Sequence, residues 1–320
     1  MREWLTQVTL TVNLEAGEPF LNDHRPGGEP LLGTVMGIEL MVRAARHLGF
    51  AQPGMPWKVA QIAILEPLIL QGASATVTVR AARGGKHPSA AISCSVESLS
   101  GTGQTVRHFE GMVVMREPQT AQALAWAVPM PPEVRQSKGV GGKSVYALFF
   151  HGPAFQVVGR SWLDGDALWC ELQAGLPPLT GDPNENLWAA AQWIELCLQA
   201  AGLLEVAKNS RMMIPYRIEG IDFLRGDKPD GEQVFAVARK SDTVSNAVLK
   251  GGGGESGTDI DLVDARGKLL VRVRNYQTCP LPFASDQDAL ARLALEFHSD
   301  WSSAAESVAA SGATPFDAPL

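Results

Sequence analysis

The stretch Thr34-Val-Met-Gly-Ile-Glu-Leu-Met-Val-Arg-Ala-Ala-Arg-His-Leu48 carries apolar residues around almost its whole helical circumference: Val35, Met36, Ile38, Leu40, Met41 and Val42. A helix patterned this way has no solvent face and must be wrapped by other elements. Thr34 is placed to act as N-cap, Gly49 stands at the far end, and Arg43, Arg46 and His47 gather where the helix dipole favours cations. The flanks supply the wrapping. Residues 4–14 alternate Leu5, Val8, Leu10, Val12 and Leu14 with polar positions, with one slip of register. After the helix, 57–69, 75–80, 90–97 and 105–115 read as strands punctuated by Pro, Gly and Ser. A buried helix among antiparallel strands defines an α+β unit.

The same plan recurs downstream. Residues 155–163 and 168–173 read as strands, a Pro/Gly/Asn loop follows, and 187–207 is a second, mostly apolar helix. Strands then come at 213–223, 233–239, 260–263 and 268–277. Between the copies lie Pro118, Pro129, Pro131 and Pro132, then Lys138-Gly-Val-Gly-Gly-Lys143, the composition of a linker. The expected units are therefore 1–125 and 145–284, joined by a linker over 126–144. Residues 285–320 hold one amphipathic stretch (Leu290, Leu293, Leu295, Phe297) and a small-residue tail, read as a frayed end or interdomain linker.

Composition narrows the function classes. Across 320 residues, 45% hydrophobic and 19% charged describe a globular protein. The net charge is −7 with scattered basic residues, so the electrostatic footprint of a nucleic-acid binder is missing. Cys94, Cys170, Cys197 and Cys279 lie far apart with no CxxC spacing, which argues against a zinc site or a disulfide scaffold and fits a reducing cytosol. Apolar runs are broken by Glu39, Arg43, Glu66 or Glu195 before they reach spanning length, and the N-terminus does not read as a secretory signal. The expectation is a cytoplasmic protein that contacts neither membrane nor nucleic acid. Residues 137–144 resemble a phosphate loop but lack its first glycine and a preceding strand, and 250–257 lack its lysine. No GxSxG or HExxH is present.

Chemistry concentrates at one histidine and one carboxylate, each tied to a buried helix. His24 lies in Asp23-His24-Arg-Pro-Gly-Gly28-Glu-Pro30, just ahead of the first helix. A loop histidine is ordinarily a solvated residue. Here two glycines and two prolines fix the loop and would let backbone approach a ligand beside a helix N-terminus, where unpaired N–H groups hold a developing oxyanion. Glu195 sits in Trp188-Ala-Ala-Ala-Gln-Trp-Ile-Glu195-Leu-Cys-Leu-Gln199, among apolar neighbours and one turn from Gln199. It must be paired, hydrogen-bonded or protonated, or snorkel from the helix edge. Desolvation by Ile194, Leu196 and Leu198 predicts a raised pKa.

These residues resemble polyketide synthase dehydratase domains. His24-x-x-x-Gly28 with Pro30, running into Met36-Gly-Ile-Glu39, is similar to the HxxxGxxxxP signature of that family's first half. His151-Gly-Pro-Ala-Phe-Gln156 resembles the GPxFQ element, and Glu195-Leu-Cys-Leu-Gln199 stands in the place of DxxxQ. Ile214-Pro-Tyr216 resembles LPF, and Leu262-Val-Asp-Ala-Arg-Gly267 the closing hairpin. The wording is closest to dehydratases of iterative synthases of the enediyne and polyunsaturated-fatty-acid kind. The resemblance implies a double hot-dog fold and dehydration of a 3-hydroxyacyl thioester, with His24 as base and Glu195 as acid, Gln199 in support. The thioester carbonyl would face Gly28 and the helix start at Gly33 and Thr34. It further implies no metal and no redox cofactor, a substrate carried on the phosphopantetheine arm of an acyl carrier protein, and a tunnel lined by Phe149, His151, Phe155 and Tyr216. Other synthase domains would be partners, and a homodimer is compatible with it. Arg211, Arg217 and Arg225 are candidate carrier contacts. Two departures stand out: Gly33-Thr34 replaces the family's Pro-Gly, and Glu195 replaces its Asp. Two other readings stay open, an acyl thioesterase of hot-dog type and a catalytically silent docking domain.

Overall fold

The computed structural model describes residues 6–49, 56–84, 91–115, 139–182, 187–224, 233–241, 257–281 and 286–310, with side chains described to 299. Twelve antiparallel strands form one sheet in the order β1-β3-β4-β5-β2-β9-β12-β11-β10-β8-β7-β6. The first half contributes β1 (Gln7–Glu15), β2 (Trp57–Ile64), β3 (Ser74–Arg83), β4 (Ile92–Leu99) and β5 (Thr105–Met115) around a first central helix, Thr34–His47. The second contributes β6 (Val140–Gly141), β7 (Val158–Asp164), β8 (Ala167–Leu172), β9 (Met213–Phe223), β10 (Val234–Lys240), β11 (Thr258–Asp264) and β12 (Leu269–Pro280). They surround a second central helix, Ala191–Asn209. Each half is thus the expected α+β unit of antiparallel strands wrapped on one helix.

The apolar pattern explains the wrapping. Ten residues of the first central helix and fifteen of the second are buried, including Glu39 and Glu195. The first packs against β1, β3, β4 and β5, the second against β8, β10 and β11. The two sheets meet edge to edge where β2 pairs with β9, with Trp57 opposite Phe223 and their rings stacked at 3.7 Å. Pairing both inner edges hides strand donors and acceptors that would otherwise be exposed.

Several boundaries differ from the sequence reading. Thr34 is the first helical residue and Gly33 is the N-cap, with no side-chain cap, because the chain is still extended at Gly33 (φ −66°, ψ 154°). The second helix begins at Ala191, not 187. Ala189 donates its N–H to Glu39 Oε2 at 2.7 Å, and Ala190 takes a left-handed φ of 44° before the helix turns. Glu195 therefore lies in the second turn, not mid-helix. Of the linker 126–144, residues up to 138 lie outside the described residues, but Val140–Gly141 pairs with β7 and Gly142–Tyr146 is helical. Val140 is buried, which is what recruits this polar-looking stretch. The tail is helical over Gln287–Ala310 and packs on the second central helix, burying Leu290, Leu293, Ala294 and Phe297. Leu295, expected on that apolar face, is exposed. The four cysteines are free thiols, three of them buried. No described helix is long and apolar enough to cross a membrane.

Candidate active site

Gly27 and Gly28 shape the His24 loop. Both adopt left-handed φ (77° and 97°), a region that costs a residue with a side chain about 1–2 kcal/mol. The Gly28 amide donates to Arg25 O at 3.0 Å, and Gly28 is exposed. The expected role of this amide at a thioester carbonyl is therefore corrected: its proton is already committed within the loop. His24 closes the loop twice. Leu31 N–H donates to His24 O at 3.0 Å, and His24 Nδ1 lies 2.9 Å from Leu31 O. A carbonyl only accepts, so Nδ1 carries the hydrogen and Nε2 is left with its lone pair. Gly33 backs onto this nitrogen. A Cβ at Gly33 would stand 3.4 Å from His24 Nε2, so a side chain there would press on the imidazole.

Glu195 is 7% exposed and reaches into the same region from the second half. Gln199 donates to Glu195 Oε1 at 2.9 Å and to Phe155 O at 2.9 Å. The other end of that amide accepts from the Tyr146 hydroxyl at 2.8 Å, and Tyr146 in turn accepts from Val158 N–H. The expected i,i+4 support is present, and Tyr146, which no motif singled out, orients it.

The two halves are tied at this point by backbone. His24 and His151 form an isolated antiparallel bridge, and Gly152 N–H donates to Asp23 O at 2.8 Å. Asp23 Oδ2 accepts from Ala154 N–H at 2.7 Å. A Cβ at Gly152 would meet Asp23 Oδ1 at 2.6 Å, so this approach requires glycine. His151 is consequently more than tunnel wall: its Nε2 stands 3.2 Å from Glu195 Oε1. Phe150 stacks on His151 at 4.3 Å and meets His24 edge-on at 5.1 Å, while Phe155 packs edge-on against both imidazoles. Phe149 is buried beside His151. Tyr216, by contrast, is 55% exposed on β9 and is no part of this cage. Arg225 lies outside the described residues.

The electrostatics follow from this packing. Burial first, and then the charge of His151, lower the His24 pKa from 6.5 to about 4, against the pull of Glu195. His24 is therefore neutral at pH 7. Burial pushes the Glu195 carboxyl up. The hydrogen bond and charge of His151, the charge of His24 and the Gln199 hydrogen bond outweigh it, so the net direction is down. The raised pKa expected from desolvation alone is corrected: the sequence neighbours are apolar, but the spatial neighbours are imidazoles. Among the described residues, no three His, Cys, Asp or Glu side chains are arranged to hold a metal ion. An open cleft of about 700 Å³ lies behind the cage, sharing Tyr146 and reaching Lys143, Gln156 and Gln173.

The fold matches solved dehydratase domains. A trans-AT polyketide synthase dehydratase domain from Brevibacillus brevis aligns over 86% of this chain and 94% of its own, with 18% identity and a TM-score of 0.66. The dehydratase domain from the CurF module of curacin polyketide synthase gives 86%, 94%, 18% and 0.64. The architecture is thus a double hot-dog. A family model described as polyketide synthase dehydratase domain matches residues 3–99, and one described as polyketide synthase dehydratase N-terminal domain matches 127–288. The chain belongs to the polyketide synthase dehydratase family. Among curated relatives, the phenolphthiocerol synthesis polyketide synthase Pks15/1 of Mycobacterium bovis is 24% identical over 86% of this chain. The chain spans only 4% to 16% of the length of the curated relatives it matches.

Proposed function

We propose that this chain removes water from a 3-hydroxyacyl thioester, giving the 2-enoyl thioester, during assembly of a polyketide or polyunsaturated acyl chain. The carrying observation is the pairing of a neutral imidazole, with Nδ1 held by Leu31 O and Nε2 unbonded among the described residues, with the Glu195 carboxyl from the other half. His24 Nε2 takes the α-proton, and Glu195 hands a proton to the departing hydroxyl. The N–H groups at the start of the first central helix, beside Gly33, suit the thioester oxygen as charge builds on it.

The substrate reaches this site on the phosphopantetheine arm of an acyl carrier protein, in the cytosol, beside other domains of a synthase. The reaction is a proton-transfer elimination that calls for no redox cofactor and no metal. Phe149, Phe150 and Phe155 provide the apolar wall for the acyl chain near the reacting carbons.

Incubation with a 3-hydroxyacyl thioester and mass measurement tests the reading: a loss of one water, abolished by His24→Ala, supports it. Release of the free acid would indicate a thioesterase. A folded protein that turns over no 3-hydroxyacyl thioester would indicate a silent docking domain.

A further inference from the structure

We propose that His151 is a positioning residue that acts through Glu195, holding the proton that Glu195 delivers, so that the acid of this site is a carboxyl–imidazole pair rather than a lone carboxyl. The inference rests on the dehydration reading above. Its geometry is direct. His151 Nε2 stands 3.2 Å from Glu195 Oε1, and both side chains are less than a tenth exposed. The ring is fixed from three sides: stacked on Phe150, edge-on to Phe155, and carried on a backbone bridged to His24. Gln156 Nε2 also donates to His151 O at 3.0 Å.

Against burial, the contact with His151 is what draws the Glu195 carboxyl down, so carboxyl and imidazole behave as one proton-sharing unit. The other titratable groups around the pair do not compete. Tyr146 and Tyr276 are phenols pushed upward by burial, and so is the Cys197 thiol, so all three stay neutral. Asp23 is engaged with Ala154 N–H. His24, His151 and Glu195 are then the groups of this cage placed to exchange protons. His151 Nδ1 is buried and has no hydrogen-bond partner among the described residues. An imidazolium satisfied at both nitrogens would keep its proton; one satisfied only at Nε2 gives it up at less cost.

The cycle balances. His24 Nε2 takes the α-proton, and the C–H electron pair becomes the new carbon–carbon π bond. The Cβ–O bond breaks toward oxygen, the oxygen receives a proton from Glu195, and Glu195 recovers one from His151 Nε2. The proton on His24 returns to the carboxyl–imidazole pair through the water that the reaction forms, since the two rings lie 5.6 Å apart between centroids, beyond direct transfer. Water and the enoyl thioester then leave. The start is restored with no added oxidant, reductant or co-reactant.

Two variants and one spectrum test this. In His151→Phe burial prevails on the Glu195 carboxyl, which loses the contact that draws it down, so the alkaline limb of kcat/KM should move to higher pH while kcat falls about tenfold or more with the positioned partner gone. His151→Gln keeps a donor near Oε1 but no titratable proton, so it should restore KM and folding without restoring that limb. Parallel profiles at every pH, or a wild-type limb in His151→Gln, would overturn the proposal. Independently of turnover, imidazole nitrogen NMR of histidine-labelled protein should show a His151 Nε2 signal that shifts when its carboxyl partner is replaced in Glu195→Gln. A His151 Nε2 signal that Glu195→Gln leaves unmoved overturns the pair while leaving the dehydratase reading intact. If His151→Phe does not fold, His151→Gln and the spectra decide.

Discussion

Each central helix carries one buried glutamate near its start, and the two are used differently. Glu39, in the first half, is fully buried and has both oxygens occupied: Oε1 by Arg43 at 2.9 Å and Oε2 by Ala189 N–H at 2.7 Å. Glu195, in the second half, receives His151 and Gln199 on the same oxygen, Oε1, and Oε2 accepts nothing from the described residues. The same residue type in corresponding elements is engaged at both oxygens in one half and at one oxygen in the other. The difference lies in the geometry of the donors. A carboxylate whose lone pairs are divided among fixed donors on both oxygens has no oxygen left for a substrate. The buried polar groups of a fold can thus be sorted by counting which atoms remain unengaged.

The sharpest way to break this contrast is to substitute both glutamates alike. Glu195→Gln keeps size and hydrogen bonds but removes the transferable proton, so water loss should fall by about 10²–10⁴-fold with the fold intact. Glu195→Asp withdraws the carboxyl by about one bond length and should cost on the order of 100-fold. A fully active Gln variant would make Glu195 a fastener like Glu39. A faster Asp variant would show that Glu at this position, with Gly33-Thr34 facing it, is a loss rather than an adjustment.

The base adds a pH signature. Between pH 6.5 and about 4 the unfolded chain takes up a proton at His24 that the folded chain refuses. Stability should therefore decline as pH falls through that window, by on the order of 3 kcal/mol from this group. Denaturant titrations of wild type and His24→Gln at pH 7 and 4.5 check it: the variant should lose less stability on acidification. Equal losses would remove His24 as the cause.

Glu39→Gln sharpens the other arm. An amide group there must set an N–H₂ against either Arg43 or Ala189 N–H, so stability should drop by about 2 kcal/mol, while turnover per folded molecule changes little. The smallest expected effect is at Ala190, whose left-handed φ of 44° precedes the helix bearing Glu195. Ala190→Gly should raise stability by up to about 1 kcal/mol. A loss in thermal unfolding would show that Glu39, through Ala189 N–H, holds this turn without strain.

Both central helices were legible because circumferential apolarity has only one physical reading, and β5 and β9 carried their bounds in their patterns. His24, Glu195 and Gln199 could be nominated from residue type and spacing. The role of His151 could not, since its contact with Glu195 and its bridge to His24 exist only once the two halves are joined. The same blindness reversed the Glu195 pKa: burial is visible in the sequence, imidazoles arriving from other elements are not. The helix start misled because Ala189 and Ala190 are good helix formers, overruled by a carboxylate 150 residues away. The C-terminal helix could have been found, for Leu290, Leu293 and Phe297 recur at helical spacing.

The bridge between His24 and His151 also bears on how this site could be handled as a device. His24 and Glu195 belong to different halves of the chain, and the paired edges of β2 and β9, the histidine bridge and the hydrogen bonds from Ala154 and Ala189 to Asp23 and Glu39 set their spacing. On the proposed reading neither half would hold a working site, so turnover would obey an AND gate. Halves produced as separate polypeptides would stay silent until they dock, and each docking event would be counted many times over in product. The feature that aligns two side chains for chemistry would then serve as an amplifier that reports molecular encounter.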